Sequence, residues 1–193
     1  MKRVCAILLF CTLLLGCSAS AFSFNPQEGK DFHDALWGQS YDEVYEKQKG
    51  MPLKYDDSTQ RYSNLIYSQE DINGYKGQRQ YIFYDRQLVS GCYSIPFIPE
   101  KGEKAVAFFN DITARYTQLY GAPSEQEENW TNEEDKQTLD IGSALGESKL
   151  FYYAIFNTPS SDIIVSLSGY DESIELYISF EPSSDFGEPD AVG

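Results

Sequence analysis

Apolar and polar residues alternate without a break in the last regular segment of the chain, residues 174–180. The even-numbered residues there are Ile, Leu, Ile and Phe, and the odd-numbered ones are Glu, Tyr and Ser. Because successive side chains of a strand point to opposite faces, the alternation predicts a strand with one buried face. Such a strand needs partners, and five further runs of strand-like composition can supply them. They are residues 61–68, 78–84, 88–97, 149–156 and 163–168.

Two helices are predicted among these strands. Ser40 and Glu43 form a capping-box pattern at the start of a short helix over residues 41–49. A longer helix is expected over residues 103–120, where apolar residues recur at helical spacing. Gly and then Pro follow both helices, in the order that ends a helix. The sequence therefore predicts an α+β fold, with an antiparallel sheet and two helices. The expected buried side of the longer helix is Val106, Phe109, Ile112, Tyr116, Leu119 and Tyr120.

The ends of the two helices suggest an internal repeat. Gly-x-Pro sequences at residues 50–52 and 121–123 lie 71 residues apart, and each precedes a polar stretch and about three strands. At the same offset, residues 81–84 fall on residues 152–155. The pattern predicts two tandem helix–β–β–β units, and the alternative is coincidence, because Gly-x-Pro is common after helices. The units would be residues 31–98 and 99–180.

The chain begins with a segment of a different kind. Lys2 and Arg3 precede a continuous apolar run over residues 4–15. The run has the length of the apolar core of a signal peptide, and it falls well short of the ~20 residues that a transmembrane helix needs. We therefore expect residues 1–16 to be removed as a signal peptide, and we expect the mature chain not to span a membrane.

The residues that end this run, Leu14-Leu15-Gly16-Cys17, resemble the lipobox of bacterial lipoprotein precursors. The resemblance implies that a diacylglycerol is attached to the sulfur of Cys17 and that the chain is cleaved before it. The protein would then be held to a membrane of the cell envelope by lipid, and Ser18 would favour the outer membrane of a Gram-negative cell. The alternative is an ordinary signal peptide cut after Ala-Ser-Ala at residues 19–21, which leaves no lipid.

Composition separates a folded domain from its two ends. Residues 17–30 are mostly small and polar, which predicts a flexible tether between the lipid and the domain. Residues 31–180 contain the predicted helices and strands and form a single domain. Residues 181–193 are acidic, contain two prolines and have little apolar area to bury, which predicts a disordered tail.

An acidic stretch, residues 124–140, interrupts the second half of the domain. It is low in aliphatic residues and predicts a loop, with at most a weak strand around Trp130. Residues 131–134 repeat the capping-box pattern, with Thr followed three residues later by Glu, so a helical turn is also expected there.

The chain is strongly acidic, with 30 Asp and Glu residues against 15 Lys and Arg residues. The signal peptide carries two of the basic residues and no acidic one, so the mature chain would have a net charge of −17. Such a surface is repelled by phosphate groups, which argues against binding to nucleic acid or to anionic lipid headgroups. Retention at a membrane would therefore depend on acyl chains, and partners are expected to be basic or neutral.

Processing at Cys17 would also decide the chemistry of the cysteines. Cys5 and Cys11 would leave with the signal peptide and Cys17 would carry the lipid, so Cys92 alone would keep its thiol. No disulfide within the chain can then form, and with His33 as the one histidine no zinc site is expected. Cys92 lies in a predicted strand, where the expected role is that of a small buried apolar residue.

Motifs for catalysis are scarce. A Ser-His-Asp or Cys-His site would have to use His33, which we expect at the surface, and no G-x-S-x-G sequence accompanies it. The acidic clusters lack the pattern of a calcium-binding loop, and no glycine-rich phosphate or dinucleotide motif is present. We therefore expect no catalytic site, no metal site and no cofactor.

A Gly38-Gln39-Ser40 entry, a helix that contains Val44 and a Gly-x-Pro exit precede strands rich in Tyr and Phe. Together these features resemble the small outer-membrane lipoprotein domains of the BamE (SmpA/OmlA) type. The two-unit arrangement is similar to the beta-lactamase-inhibitor-protein architecture, in which tandem helix-plus-sheet units form one curved sheet. Both resemblances imply a module that binds proteins at the envelope without catalysis.

The sequence thus predicts a non-enzymatic, lipid-anchored envelope protein whose sheet binds another protein. The chain has 15 Tyr and 12 Phe residues, and Tyr on a strand face can form a recognition surface at low entropy cost, although sheet propensity also explains the abundance. On a binding sheet, Tyr177 and either Tyr152 or Tyr153 are expected to face outward. One alternative is a small-ligand or glycan-binding lipoprotein with an aromatic-lined pocket. The other is a hydrolase with converging carboxylates or a Ser/His set.

Overall fold

The computed structural model describes residues 26–59, 61–72 and 74–183. The predicted signal peptide, Cys17, most of the predicted tether and residues 184–193 of the predicted tail lie outside this range. The elements, in chain order, are α1 (Tyr41–Lys47), β1 (Leu53–Asp57), β2 (Tyr62–Ile72), β3 (Tyr75–Tyr84), β4 (Gln87–Phe97), a 3₁₀ turn (Pro99–Lys101), α2 (Gly102–Tyr120), β5 (Glu125–Trp130), α3 (Glu133–Thr138), α4 (Ile141–Gly146), β6 (Leu150–Asn157), β7 (Ser161–Tyr170) and β8 (Ser173–Pro182).

The strands form one antiparallel sheet in the order β1-β2-β3-β4-β8-β7-β6-β5. Each half of the domain contributes four strands that pair with their neighbours along the chain, and the halves join where β4 pairs with β8. The predicted α+β class with an antiparallel sheet is therefore confirmed. The predicted number of helices is wrong, because the described chain contains four α-helices rather than two.

One face of the sheet, which we call the inner face, is buried beneath helices. Phe109 of α2 packs on Tyr152 of β6, and Tyr116 of the same helix packs on Phe156, with 5.6 Å between ring centroids in both pairs. In the first half, Tyr41 of α1 lies 4.9 Å from Phe83 of β3. Removing these aromatic side chains from water is the main force that holds the helices on the sheet.

The segment before α1 also packs on the inner face. Residues 31–37 form a turn in which Phe32 bridges to Ala35. The ring of Phe32 is fully buried, 5.1 Å from the ring of Tyr81 and 5.4 Å from that of Phe180. The segment is therefore part of the core of the sheet.

Gly91 lies where the segment before α1 approaches the sheet. The register of β3 and β4 shifts beside it, where Ile82 pairs with Ser90 and Phe83 with Leu88. A Cβ atom on Gly91 would lie 2.1 Å from the ring of Phe32. The glycine is thus needed for the close approach of that ring to the strand.

The helix predictions hold in part. The capping box of Ser40 and Glu43 is present, and α2 has the predicted extent to within one residue. Leu119, predicted to lie on the buried side of α2, is 51% exposed, because the buried stripe lies further around the helix and includes Ala105 and Phe108. The helical turn expected at residue 131 is α3, but its N-cap is Asn132, whose side chain accepts a hydrogen bond from the Asp135 N–H.

Three short elements differ from the prediction. β1 and α4 were not predicted, and the weak strand expected around Trp130 is β5, which pairs along its length with β6. Four of the five side chains of β1 are exposed, so its sequence shows no alternation of buried and exposed residues. α4 has six residues with Gly at two of them, too few to show a helical stripe.

Candidate interaction surface

No helix or loop of the described residues covers the face of the sheet opposite the helices, which we call the outer face. Its described side chains are exposed or half-buried, with the single exception of Cys92. Tyrosine, serine and aliphatic side chains alternate across it, so it is neither an apolar core nor a charged surface. One row across the strands consists of Glu127, Tyr153, Ser166, Tyr177, Ser94 and Gln78. The next row contains Glu125, Ile155, Ile164, Ser179, Cys92 and Gln80.

The structure shows which of the candidate tyrosines face outward. Tyr177 lies on the outer face and is 36% exposed. Of the two candidates in β6, Tyr153 lies on the outer face, whereas Tyr152 is buried beneath α2. The register places Ser166 of β7 between the two outward tyrosines, opposite both. Two tyrosines in one row, separated by a small side chain, therefore form the centre of the second half of this face.

Each of the two tyrosines is bonded to a glutamate. The Tyr153 hydroxyl donates to Glu125 Oε1 and the Tyr177 hydroxyl donates to Glu175 Oε2, both at 2.6 Å. The hydrogen bond to Glu125 raises the pKa of Tyr153, and partial burial together with the bond to Glu175 raises the pKa of Tyr177. Glu175 also accepts a short hydrogen bond from Ser94. The hydroxyl bonds restrain these side chains and leave the negative charge of both carboxylates in place.

A recess of about 330 Å³ opens beside this row, between β6 and β7. We use the term recess for the space lined by Phe151 and Tyr153 on one side and by Ser166 and Ser168 below. The rings of Phe151 and Tyr153 are stacked, with 6.3 Å between centroids. On the far side of β7, Glu175 pairs with Ser168 and Tyr177 with Ser166. The recess therefore has one aromatic wall, a hydroxyl floor and a carboxylate nearby.

Charge is unevenly distributed on the outer face. Over β5 to β8 this face has no Lys or Arg residue within the described chain, and it carries five carboxylates. In the half formed by β1 to β4, the described charged side chains on this face include Asp57 and an ion pair of Lys76 with Asp71. The second half of the face is thus the electronegative part. The five carboxylates belong to Glu125, Glu127, Asp162, Glu175 and Glu181.

Cys92 is buried, as predicted, but it does not belong to the main core. It lies on the outer face, where its thiol contacts the Gln80 side-chain oxygen at 3.7 Å. Burial, with a smaller effect from Glu175, raises the pKa of the thiol to about 11. The thiol is therefore protonated at neutral pH, in agreement with the unreactive role expected from the sequence.

His33 lies in a polar cluster under the inner face rather than alone at the surface. Its Nδ1 is 3.0 Å from Asp34 Oδ1, which also accepts a hydrogen bond from Tyr81. Asp34 Oδ2 accepts from Gln48, and the Gln48 side-chain oxygen accepts from the guanidinium of Arg79 at 2.9 Å. We call these five residues the polar cluster. Within the described chain, the side chain of His33 contacts Asp34 and Tyr81, and neither a serine hydroxyl nor a cysteine thiol bonds to it.

The electrostatics of the cluster centre on Asp34. Burial alone would raise the pKa of this carboxyl group, but hydrogen bonds from His33 and Tyr81 and the charges of His33 and Arg79 hold the pKa far below its usual range. Arg79 is almost fully buried, with its guanidinium 5.5 Å from the centroid of the Tyr81 ring. A buried charge needs such partners, so the cluster ties the segment before α1 to β3.

Sequence reasoning identified Tyr177 and the tyrosine pair of β6 but missed the polar cluster. Its members are far apart in sequence, and only the adjacent His33 and Asp34 could have suggested a site. Over the described residues, no group of three or more His, Cys, Asp or Glu side chains is arranged to hold a metal ion. The helices that the structure describes are too short or too polar to cross a membrane. The predicted lipidation site, Cys17, lies outside the described range.

Comparison of the chain with protein-family models, curated proteins and solved structures found no match. The candidate surface consists of an uncovered sheet face, two tyrosine–glutamate pairs and a recess over β7.

Proposed function

We propose that the protein is a non-enzymatic, lipid-anchored protein of the cell envelope and that its outer face binds another protein. The Leu14-Leu15-Gly16-Cys17 sequence supports the anchor, with diacylglycerol on Cys17 and an outer-membrane location if the cell is Gram-negative. Intact-mass spectrometry of the envelope-purified chain tests this part. A mass for a chain that begins at Phe22 and has no acyl group would contradict the anchor.

The observation that carries the binding proposal is the open outer face. A sheet of eight strands with one face under helices leaves a broad, rigid surface on the other side. Tyr153, Tyr177 and Ile164 on that surface are the residue types that protein interfaces favour at their centres, since they bury much area with little rotamer entropy. The exposed acidic rim of Glu125 and Glu181 is the polar border that such interfaces have.

The arrangement of helices and strands in the two halves of the domain also supports the proposal of two tandem units. Each half has a helix before four antiparallel strands, and the second half also has α3 and α4 inserted between its first two strands. Each proposed unit would thus have four strands rather than three. The turns before the last strand of each half share the sequence Tyr-Asp-x-x-aliphatic, at residues 84–88 and 170–174. Their two central residues all have positive φ, from 47° to 64°. The resemblance to the BamE and beta-lactamase-inhibitor-protein types is proposed on this arrangement.

The repeat offset needs correction within this proposal. Residues 81–84 lie in β3, the third strand of its half, whereas residues 152–155 lie in β6, the second strand of its half. The offset of 71 residues therefore does not align equivalent strands. The insertion of α3 and α4 between β5 and β6 explains the failure, because every strand after them is displaced along the chain.

Site-specific photo-crosslinking in intact cells tests the binding face. A photoreactive residue would replace Tyr177 or Ile164 on the outer face, and Leu119, an exposed residue of α2 on the other side, would be the matched control. We expect both outer-face positions to form adducts with the same protein, and we expect the control not to form them. Adducts from Leu119 alone would place the interaction on the helices and contradict the proposal.

Glycan binding is a second candidate, favoured by the recess. Stacked Phe151 and Tyr153 with serine hydroxyls below could hold a sugar ring, whose apolar face packs on aromatic rings. This candidate predicts that saccharides raise the melting temperature of the full chain. It also predicts that Phe151→Ala removes the stabilisation, whereas Leu119→Ala does not.

A further inference from the structure

We propose that the recess receives a lysine or arginine side chain of the partner protein, between Tyr153 and Tyr177. The inference rests on the proposed function, because it assigns a chemistry to the partner that the outer face binds. It predicts that the contact surface of that partner is basic at its centre. Three properties of the recess lead to this assignment: its spacing, its charge and its aromatic wall.

The spacing suits one long side chain. Tyr153 and Tyr177 lie in one row on strands separated by β7, so their Cα atoms are about 9–10 Å apart at the usual strand spacing. Between them is only Ser166, whose side chain is short. A lysine or arginine stem can lie over Ser166 with its charged group within about 6 Å of a tyrosine ring, the range of a cation–π contact.

The charge of the site favours a cation. Glu125 and Glu175 accept hydrogen bonds from neutral hydroxyls, and none of the salt bridges in the described chain includes either carboxylate. Each carboxylate is therefore held in position and is not neutralised by a nearby cation. An incoming ammonium or guanidinium group over Ser166 and Ser168 would meet Glu175 as a fixed acceptor, while Glu125 adds negative charge at the edge of the sheet. An anionic or apolar group would lack this charge complementarity.

The aromatic wall distinguishes this recess from the acidic helix α3. That helix has Glu133 and Glu134 in its first turn, but all its described side chains are exposed or half-buried and none is aromatic. In the recess, the stacked rings of Phe151 and Tyr153 stand on one side of Ser166 and Ser168, and Glu175 pairs with Ser168 on the other. Arginine gains most from such a combination, because its planar guanidinium group can stack on an aromatic ring and donate hydrogen bonds to a carboxylate at the same time.

Titration of the full chain with N-acetyl-arginine amide, followed by NMR, tests the inference, and N-acetyl-citrulline amide is the uncharged probe of the same shape. We expect the arginine probe to shift the signals of Tyr153, Ser166 and Tyr177, and we expect the citrulline probe to leave them unchanged. Glu175→Gln and Tyr177→Leu should each weaken arginine binding about threefold, and the double variant about tenfold. Glu133→Gln removes the same charge from α3 and should leave the binding unchanged.

The outcomes separate this inference from the proposed function. The assignment of a basic side chain to the recess is wrong if the outer face crosslinks to a partner but arginine does not bind. It is also wrong if Glu133→Gln weakens binding as much as Glu175→Gln. In both cases the proposal that the outer face binds a protein is unaffected. If arginine binds with the expected variant effects but no outer-face position forms adducts, the recess does bind a basic group and the proposed protein-binding function is wrong. Shifts caused by saccharides and not by arginine would assign the recess to glycan binding and overturn the inference.

Discussion

The two halves of the domain cover the same inner face by different means. In the second half, α2 runs for 19 residues and lies across strands whose inward side chains are apolar. In the first half, α1 has only seven residues, so residues 31–40 complete the cover. Phe32 of that segment packs on the inner face, and His33 and Asp34 join it to β3 through the polar cluster. A short helix is thus tolerated where the chain before it supplies an aromatic ring and a buried charge network.

The largest effect is expected from Phe32→Ala, which removes the ring that takes the place of a longer helix. Phe32 is fully buried against Tyr81 and Phe180, so its truncation should lower the free energy of unfolding by about 3–5 kcal/mol. Urea unfolding of the full chain measures this. Phe109→Ala on α2 is the matched variant in the second half and should cost a similar amount.

A double-mutant cycle with Gly91 provides the control. Gly91→Ala alone should destabilise the chain, because its Cβ would lie 2.1 Å from the Phe32 ring. In the Phe32→Ala background the same change should cost much less. If Phe32→Ala costs under 1 kcal/mol, or if the two changes are additive, the segment before α1 is not part of the core.

A smaller effect is expected from Asp34→Asn, which tests the polar cluster of the first half. The carboxylate accepts from Tyr81 at 3.0 Å and from Gln48 at 2.7 Å, whereas the amide has a single acceptor oxygen and no charge, so it can keep only one of these bonds. At neutral pH the variant should be less stable by about 1–3 kcal/mol. Asp111→Asn, which removes a surface carboxylate on α2, should change stability by no more than about 0.5 kcal/mol.

The pH dependence gives the same variant a second measurement. Because folding lowers the pKa of Asp34, its contribution is present above the unfolded value of about 3.9 and is lost as the pH falls toward the folded value. The difference in unfolding free energy between the wild-type chain and Asp34→Asn should therefore shrink as the pH falls below about 4. A difference that did not shrink below pH 4 would contradict a stabilising contribution from the Asp34 carboxylate.

The comparison also shows which features the sequence could reveal. The strand alternation at residues 174–180 and the capping box of Ser40 and Glu43 are local patterns, and both predictions were correct. The polar cluster joins Asp34, Gln48 and Arg79 from three separate elements, and only folding brings them together. β1 pairs with β2 although its side chains are largely exposed, so no pattern of burial marks it in the sequence.

For the candidate surface, the sequence predicted the outward position of Tyr177 and restricted the second tyrosine to two neighbours. The choice between them depends on whether odd or even residues of β6 face α2, which is set by packing against Phe109. The bond of each tyrosine to a glutamate follows from cross-strand and same-strand spacing. Only the pair of Glu175 and Tyr177, two residues apart in one strand, could have been found in the sequence.

The smallest effect is expected at the matched turns of the two halves. Arg86 and Glu172 both have positive φ, 64° and 61°, which is unfavourable for residues with a Cβ atom. Glu172→Gly should relieve this strain and stabilise the chain by about 0.5 kcal/mol, after the larger chain entropy of Gly is subtracted. Arg86→Gly should destabilise by a similar amount, because Arg86 bonds Asp42 at 2.8 Å and lies 5.1 Å from the centroid of the Tyr41 ring. Urea unfolding of both variants measures the difference. If both variants gain the same free energy of unfolding, the contacts of Arg86 with α1 do not stabilise the first half.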